Sequence, residues 1–259
     1  MPDVAEARDG APDAWLGGTL RLHQPPRGAH RAGTDAVLLA GLLVPSEDSV
    51  VCDVGAGTGA VGLALARRVP TARVILAERD SELAETARRN AELNGLASRT
   101  TVLVADVLAG GADRHASGLV PDLGDLVLTN PPFFEAGRYR ASPTVGKSSA
   151  HGFPRGGLSG WLRTCVDILR PHGRLGLIHR ADALPACLDA LKGRFGAISV
   201  RPVQAKADQP AIRVLITAVK GSRAPLTLLP PLILHDASGR FTPELAALNA
   251  GQAWIGAPP

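Results

Sequence analysis

Residues 125–134 read Asp-Leu-Val-Leu-Thr-Asn-Pro-Pro-Phe-Phe and join a buried strand to a rigid turn. The run from Leu126 to Leu128 has the unbroken apolar character of a central strand in a parallel sheet. Pro131 and Pro132 end this strand because proline has no N–H to donate to a neighbouring strand. A residue before proline is held in extended geometry, so Asn130 is placed at the end of the strand.

The turn after this strand carries two hydrogen-bond acceptors beside an aromatic side chain. The amide oxygen of Asn130 and the carbonyl of Pro131 can both face a cleft, with Phe133 next to them. Two acceptors beside an aromatic ring suit an amine on a flat ring. The alternative is a simple Pro-Pro turn that closes a strand.

A second strand leads directly into a glycine-rich turn. Val50-Val-Cys-Asp-Val54 is apolar except for Asp53, and Gly55-Ala-Gly-Thr-Gly59 follows at once, before a helical pattern. Glycine allows a sharp turn and a close approach of a ligand to the backbone. A carboxylate at Asp53 would repel a pyrophosphate and would suit a ligand with an ammonium group. The alternative is a tight strand–helix turn in which Asp53 is satisfied internally.

Two further strands are predicted to end in an acidic residue. Glu78 closes the strand Val74–Glu78 and lies 19 residues after Gly59, which is the spacing of a carboxylate that binds ribose hydroxyls. The strand predicted over 101–106 ends in Asp106, whose carboxylate or following amide can meet an adenine edge. In open parallel sheets the ligand binds outside the carboxyl ends of the strands. The ligand-binding residues at the ends of these four strands therefore predict a single ligand-binding site at the carboxyl edge of the sheet.

The rest of the chain completes an α/β pattern. A fifth strand is predicted at 174–179 and a final strand pair at 198–203 and 212–219, with helices between the strands. Residues 225–231 are predicted to be an apolar cover segment. The predicted organisation is an N-terminal extension (1–44), a main domain (45–235) and a polar, mostly irregular tail (236–259). In the extension, a short strand contains Leu20 and Leu22, and Thr34 or Asp35 is expected to cap a helix.

Positive charge is concentrated after Phe134. Residues 1–134 contain 12 Arg and Lys against 17 Asp and Glu, whereas residues 135–223 contain 15 against 5. This distribution favours an anionic macromolecule such as nucleic acid near the turn. The alternative is a solvated surface in an arginine-rich protein, since arginine outnumbers lysine 24 to 4. Residues 135–160 are predicted to be a long loop at the mouth of the cleft.

Composition argues against several classes of protein. No apolar run reaches the roughly 18 residues of a membrane span, and the acidic first 13 residues do not resemble a secretory leader. The three cysteines (Cys52, Cys165 and Cys187) form no CxxC pair and no zinc-binding spacing. We therefore expect a cytoplasmic protein with buried thiols, no membrane contact and no metal; the oligomeric state is left open.

The motifs resemble those of class I methyltransferases that use S-adenosylmethionine. The resemblance covers roughly residues 16–235 and rests on Asp53-Val-Gly-Ala-Gly-Thr-Gly59, Glu78, Asp106 and Asn130-Pro-Pro-Phe133, in the order and spacing of that family. Three further stretches are similar to the bacterial valine-tRNA adenine-N6 methyltransferase group. They are Gly33-Thr-Asp-Ala-Val-Leu-Leu39, the pair Arg201-Pro-Val and Arg213-Val-Leu-Ile, and Ala224-Pro-Leu-Thr-Leu-Leu-Pro-Pro-Leu232.

The resemblance implies a fold, a cofactor and a set of site residues. The fold is Rossmann-like α/β, with a seven-stranded, mostly parallel sheet, a C-terminal antiparallel strand pair and helices on both faces. The implied cofactor is S-adenosylmethionine, and the implied substrate is an adenine N6 amine in tRNA. The residues implied for catalysis are Asn130, Pro131, Pro132 and Phe133. Those implied for cofactor binding are Gly33, Thr34, Asp35, Asp53, Gly55, Ala56, Gly57, Thr58, Gly59, Glu78, Asp106, Val107 and Asn130.

Substrate contacts are expected from Phe134 and from three basic residues of the loop, Arg138, Arg140 and Lys147. An rRNA base amine or a protein glutamine side chain is an alternative substrate, since enzymes for these share the Asn-Pro-Pro-aromatic turn. A dinucleotide oxidoreductase and a catalytically silent RNA-binding module are rivals from other classes. The oxidoreductase would require a GxGxxG loop and no acid at the position of Asp53. The RNA-binding module would not need Asn130 and Phe133.

Overall fold

The computed structural model describes residues 11–26, 31–132, 134–135, 152–153 and 157–255. Seven of its strands are five residues or longer: β3 (Val50–Val54), β4 (Arg73–Glu78), β5 (Thr100–Val104), β6 (Gly124–Thr129), β9 (Leu169–Arg180), β10 (Phe195–Gln204) and β11 (Ala211–Lys220). Six are short: β1 (Asp13–Trp15), β2 (Leu20–Leu22), β7 (Phe134–Glu135), β8 (Gly152–Phe153), β12 (Thr227–Leu228) and β13 (Leu232–Ile233). The helices are α1 (Thr34–Ala40), α2 (Ala60–Arg68), α3 (Ser81–Leu93), α4 (Gly111–Ala116), α5 (Gly157–Ile168), α6 (Leu184–Leu191) and α7 (Pro243–Asn249).

The seven long strands form one sheet in the order β10-β11-β9-β6-β3-β4-β5. The pairs from β9 to β5 are parallel, and β11 runs antiparallel to both β9 and β10. The predicted α/β fold with a mostly parallel sheet and a C-terminal antiparallel pair is thus confirmed. The short strands β12 and β13 pair with β10 and bring the sheet to nine strands.

Apolar side chains project from both faces of the sheet into two buried clusters. Along β6, Leu126 and Leu128 enter one buried cluster, while Val127 enters the other. The first cluster contains side chains of α1, α2, α3 and α7, and the second contains side chains of α5 and α6. Because successive residues of a strand point to opposite faces, the central strands need apolar residues at nearly every position. This explains the unbroken apolar runs in the sequence.

Several predicted boundaries were wrong. β5 ends at Val104, so Asp106 lies two residues beyond the strand, and β9 begins at Leu169 rather than at Arg174. Gly33 is the N-cap of α1, without a side-chain cap from Thr34 or Asp35. The chain between β5 and β6 includes the short helix α4. Single residues at element ends are weakly specified by local sequence, because sheet pairing decides where a strand stops.

One prediction for the C-terminal part was also wrong, and another missed a helix. The segment 225–231 is not an apolar cover, because Leu226 and Leu228 are 45% and 70% exposed. The tail contains the short helix α7, whose N-terminus is capped by the Thr242 hydroxyl accepting from the Leu245 amide at 3.3 Å, and its other described residues are mostly irregular as predicted. Leu248 packs against Gly41 at the end of α1, where a Cβ on the glycine would lie 2.7 Å from the leucine Cδ2. The tail therefore belongs to the core beside α1.

The predicted loop at 135–160 lies mostly outside the described residues. Of this stretch the structure describes Glu135, 152–153 and 157–160, and it pairs β7 with β8 in parallel. Among the described helices, none combines the length and apolar character needed to cross a membrane.

Candidate functional site

The parallel register brings three of the predicted site residues to neighbouring positions. Thr129 of β6 lies opposite Val54 of β3, and Val54 lies opposite Ala77 of β4. The next residue on each strand is Asn130, Gly55 and Glu78, respectively. Adjacent strands are about 4.8 Å apart, so these residues stand side by side at the carboxyl edge of the sheet.

The glycine loop between β3 and α2 is tied to the end of β4. The amides of Gly55 and Ala56 donate to the Ala77 carbonyl at 2.9 and 3.1 Å, and the Gly57 amide donates to Glu78 Oε2 at 2.9 Å. Gly55, Gly57 and Gly59 all have positive φ angles, of 76°, 55° and 84°. A Cβ on Gly59 would lie 2.9 Å from Leu76 Cδ1, whereas a Cβ on Gly57 would meet nothing within 4 Å. Gly59 is therefore required by packing, and Gly57 leaves open space beside the loop.

The remaining two loop residues differ in burial. Ala56 is partly buried against the core, and Thr58 is 7% exposed. The Thr58 carbonyl accepts a hydrogen bond of 2.9 Å from Nδ2 of Asn90 on α3. The loop is consequently held from both β4 and α3.

Asp53 lies beneath this loop and is 2% exposed. Its Oδ2 accepts a hydrogen bond of 2.9 Å from the amide of Gly62, in the first turn of α2. Burial raises the pKa of this carboxyl from 3.8 to about 7; the Gly62 amide opposes the rise, and the charge of Glu78 adds to it. Asp53 thus fixes the start of α2, as expected for a residue that arranges the loop.

The acidic side chains of the next two strand ends shape the turns that follow them. Glu78 Oε1 accepts from the Asp80 amide at 3.0 Å, and Asp106 Oδ1 accepts from the Leu108 amide at 2.8 Å. The Ala105 amide donates to the Glu78 carbonyl at 2.9 Å, which places Asp106 next to the β4 end. Val107 is buried, and its carbonyl accepts from the Thr164 hydroxyl at 2.7 Å.

The three site residues predicted at the start of α1 differ in their exposure and in their contacts. Gly33 and Thr34 are exposed, and a Cβ on Gly33 would meet nothing within 4 Å. Asp35 instead forms an ion pair with Arg213 of β11, with 2.9 Å between Oδ2 and Nε. This pair connects the amino end of α1 to the carboxyl edge of the sheet, because Arg213 lies opposite Arg180 at the end of β9.

Asn130 carries an unusual polar atom. Its Oδ1 is buried, yet it has no hydrogen-bond partner among the described residues. Buried acceptors are nearly always satisfied in folded proteins, so this orphan oxygen is a candidate contact for a ligand. Pro131 is buried beside it and Pro132 is partly buried.

Several predicted residues lie outside this description. Phe133, Arg138, Arg140 and Lys147 are not among the described residues, and Phe134 is described only through its place in β7. Their roles stay predictions. In the described part of the chain, no group of three or more His, Cys, Asp and Glu side chains could hold a metal ion.

Sequence reasoning assigned no role to two side chains that lie at the site. The first is Trp161 of α5, whose Nε1 donates to Thr129 Oγ1 at 2.9 Å, and the same hydroxyl donates to the Val54 carbonyl at 2.8 Å. His179, at the end of β9, is buried, and the parallel pairing of Thr129 with Leu177 places it level with Pro131. Neither placement has a local sequence signal, because both depend on elements far apart in the chain.

Comparisons with known proteins agree with this geometry. The family model of the methyltransferase small domain matches residues 31–150. The chain is 32% identical over 235 residues to a tRNA1(Val) (adenine(37)-N6)-methyltransferase from Porphyromonas gingivalis, covering 85% of this chain and 88% of that protein. A release factor glutamine methyltransferase from Chlorobaculum tepidum is 33% identical, but over only 37% of this chain and 31% of its own length.

A solved structure is also similar over most of the chain. The crystal structure of a predicted O-methyltransferase from Agrobacterium tumefaciens aligns with a TM-score of 0.73 at 36% identity, covering 85% of this chain and 98% of that one.

Proposed function

Because this chain belongs to the family of S-adenosylmethionine-dependent methyltransferases that includes the bacterial tRNA1(Val) (adenine(37)-N6)-methyltransferases, we propose that it methylates the N6 amine of an adenine in tRNA. The observation that carries the proposal is the buried Asn130 Oδ1 without a partner among the described residues. It lies at the strand end beside the glycine loop, where an amine hydrogen would satisfy it.

The residues of the carboxyl edge fit the proposed cofactor. The open face of Gly57 leaves room for a ligand against the backbone, and Glu78 presents a carboxylate whose oxygens each retain an acceptor site for ribose hydroxyls. Asp53 would attract the ammonium of the methionine part, and Asp106 with Val107 would border the adenine. Gly33, Thr34 and Asp35 would close the site from the side of α1. When bound, S-adenosylmethionine supplies a methyl group on a sulfonium, which is already a good leaving group.

The chain's own contribution to catalysis is orientation. Asn130 Oδ1 and the Pro131 carbonyl would accept the two hydrogens of the target amine, which draws the nitrogen lone pair out of conjugation with the ring. Phe133 would stack on a base that has been swung out of its stack, an interaction worth about 1–3 kcal/mol at other sites. Positioning of reacting groups can contribute roughly 7–11 kcal/mol. Pro132 would keep the turn rigid.

The basic segment after Phe134 supports RNA over a protein as the substrate. Its excess of Arg and Lys would attract phosphates, and Phe134, Arg138, Arg140 and Lys147 are the proposed contacts. A protein glutamine would not need this charge. A tRNA substrate would also place the enzyme in the cytoplasm.

The direct test is methyl transfer to total tRNA with tritiated S-adenosylmethionine, followed by identification of the labelled nucleoside. N6-methyladenosine in one tRNA species is the expected product. rRNA and a release-factor peptide are the competing substrates, and label in either one instead of tRNA would contradict the proposal.

Asn130→Ala tests the role of the amide oxygen in the same assay. Loss of one of the two acceptors should lower the transfer rate about 100-fold or more, while S-adenosylhomocysteine binding measured by calorimetry changes no more than about threefold. Asn130→Asp is the matched control, because it keeps an acceptor oxygen in the same place and should retain more activity. A wild-type rate in Asn130→Ala would show that the side chain does not hold the amine.

A further inference from the structure

The hydroxyl of Thr129 is buried at the point where β6 ends and the Asn-Pro-Pro turn begins. Thr129 is the last residue of β6 and is fully buried. Its Oγ1 donates to the carbonyl of Val54 at 2.8 Å and accepts from Nε1 of Trp161 at 2.9 Å. The direction of both bonds is fixed, because a carbonyl only accepts and an indole N–H only donates. The single hydrogen of the hydroxyl is therefore directed towards β3.

The indole of Trp161 contacts residues on both sides of the candidate site. The side chain is buried in the same cluster as Val54. Its Nε1 donates to Thr129, and its Cζ2 would lie 2.9 Å from a Cβ on Gly55. Gly55 is the first residue of the glycine loop, and Thr129 immediately precedes Asn130. One ring therefore contacts the start of the proposed cofactor loop and the residue before the proposed amine acceptor.

These contacts lie where strand pairing stops holding the chain. Thr129 is the last residue of β6 that pairs with β3 and with β9. Pro131 and Pro132 follow, and proline has no N–H with which to continue either pairing. Asn130 Oδ1 has no hydrogen-bond partner among the described residues. Its direction is therefore set by the backbone that leads into it, and the side-chain bonds of Thr129 hold the last paired position of that backbone.

A second hydroxyl bond connects α5 to the same edge of the sheet. Thr164 follows Trp161 by three residues, so the two side chains lie on the same face of the helix. Thr164 is fully buried, and its hydroxyl donates to the Val107 carbonyl at 2.7 Å. Two contacts about one turn apart restrict both the rotation and the sliding of α5. The indole N–H of Trp161 is consequently held at a fixed position relative to the strand ends.

We propose that Thr129 and Trp161 are a pair of positioning residues for methyl transfer, an inference that rests on the proposed function. The bonds from the indole N–H to the Thr129 hydroxyl, and from that hydroxyl to the Val54 carbonyl, hold the start of the turn at a fixed distance from the glycine loop. They thereby set where Asn130 Oδ1 presents the target amine relative to that loop. Neither side chain is assigned a contact with substrate or cofactor. The pair acts on the rate of transfer and not on cofactor affinity.

Substitutions of Thr129 separate the hydroxyl from the volume of the side chain. Thr129→Val keeps the branched shape and removes the hydroxyl, whereas Thr129→Ser keeps the hydroxyl and removes a methyl group. Single-turnover transfer to tRNA at saturating cofactor should fall about 10- to 100-fold in the Val variant, because small misplacements of reacting groups have effects of that size. The Ser variant should stay within about threefold of the wild-type rate, and S-adenosylhomocysteine affinity should stay within about threefold in both variants.

Trp161→Phe tests whether the two residues act through one chain of bonds. It removes the indole N–H and keeps an aromatic ring on the helix. Its transfer rate should also fall about 10- to 100-fold, and the double variant Thr129→Val/Trp161→Phe should be no more than about threefold slower than the slower single variant. Losses of rate that multiply in the double variant would mean that the two residues act independently, which contradicts the proposed pair.

Ser49→Ala is the control for the loss of a buried hydroxyl. Ser49 is buried just before β3, at the opposite edge of the sheet, and its hydroxyl donates to the Ser46 carbonyl at 2.6 Å. The variant should have a lower melting temperature and an unchanged transfer rate. Melting temperatures of all variants are measured in parallel. A Thr129→Val rate near wild type, a Thr129→Ser variant as slow as Thr129→Val, or a loss of rate in Ser49→Ala that follows its loss of stability would each overturn the proposal.

An independent readout of the bond is the indole N–H signal in nitrogen-15 NMR. The chain has three tryptophans, and the signal missing from Trp161→Phe identifies the relevant one. In Thr129→Val this signal should shift and its hydrogen should exchange faster with solvent, whereas in Thr129→Ser both should stay close to wild type. An unchanged signal in the Val variant would show that the hydroxyl does not hold the indole. Failure of the proposed function would be distinguished from this, since wild-type enzyme would then label no tRNA while the NMR result stood.

Discussion

At the scale of single residues, burial gives Asp53 properties that its sequence position does not reveal. Among the described residues, the carboxyl group accepts one hydrogen bond, from the Gly62 amide, and the side chain is buried. Desolvation disfavours its charged form and raises its pKa to about 7. A cationic group bound next to it would reverse this effect, which fits the proposed role of Asp53 toward the ammonium of the cofactor.

The raised pKa of Asp53 predicts a pH dependence of stability. The folded state holds the proton more tightly than the unfolded state, so this contribution to stability is complete below pH 3.8 and is lost as the pH rises through about 7. Asp53→Asn keeps an acceptor for the Gly62 amide and does not titrate. Relative to wild type, its free energy of unfolding in urea should therefore increase from pH 4 to pH 8 by roughly 2–4 kcal/mol.

Burial lowers the pKa of His179 from 6.5 to about 4, but this titration is common to both proteins and cancels in the difference. A difference between the two unfolding free energies that stays constant across this range would contradict the raised pKa.

At the scale of elements, α5 packs against the glycine loop through the indole ring of Trp161. A Cβ on Gly55 would lie 2.9 Å from Trp161 Cζ2, and Gly55 has a φ of 76°. The same indole is bonded to Thr129 at the end of β6. One side chain of α5 thus contacts the ends of both β3 and β6, which are the strands that lead into the loop and the Asn-Pro-Pro turn.

This contact predicts coupling between Gly55 and Trp161. Gly55→Ala should destabilise the protein by about 2–3 kcal/mol, because it combines backbone strain with a clash against the indole. In a Trp161→Phe background the outer ring atoms are gone, so the same substitution should cost about 1 kcal/mol less. Denaturant unfolding of the four proteins of this double-mutant cycle measures the coupling. Purely additive effects would show that the ring does not limit the loop.

At the scale of the whole molecule, the N-terminal segment is connected to the site through α3. Asn90 is fully buried, and besides Thr58 it bonds the backbone amide and carbonyl of His23 at 2.7 and 3.0 Å. Leu20, Leu22, α1 and α7 all contribute to the same buried cluster. We still propose residues 45–235 as the methyltransferase domain, with 1–44 as its extension and 236–259 as its tail, and both flanks have parts packed on that domain.

Asn90 and Asn94 form a matched pair for testing this connection. Asn94, the C-cap of α3, bonds the backbone of Arg21 and has no hydrogen bond to the glycine loop among the described residues. Asn90→Ala should lower the free energy of unfolding by about 2–4 kcal/mol, since it leaves several buried groups unsatisfied. It should also weaken S-adenosylhomocysteine binding several-fold in calorimetry. Asn94→Ala should leave that affinity unchanged; equal losses of affinity would mean that the loop does not depend on Asn90.

Much of the fold was determined by local sequence. The apolar runs, the glycine turn at 55–59 and the double proline at 131–132 predicted the central strands and the functional groups that follow them. Apolar periodicity, glycine and proline are local signals, because each acts over a few residues. α7 was missed because seven residues with only two buried leucines carry little periodic signal. The edge strands β12 and β13 were missed because they exist only through pairing with β10.

The sequence by itself determined which chemical groups lie at or close to the carboxyl ends of the central strands, and the resemblance determined the role predicted for each. Only the tertiary structure decided how these residues are held. The orphan oxygen of Asn130, the raised pKa of Asp53 and the indole of Trp161 against Gly55 depend on burial and on register between distant strands. Desolvation and close contact are properties of the packed molecule, so no local pattern of residues encodes them.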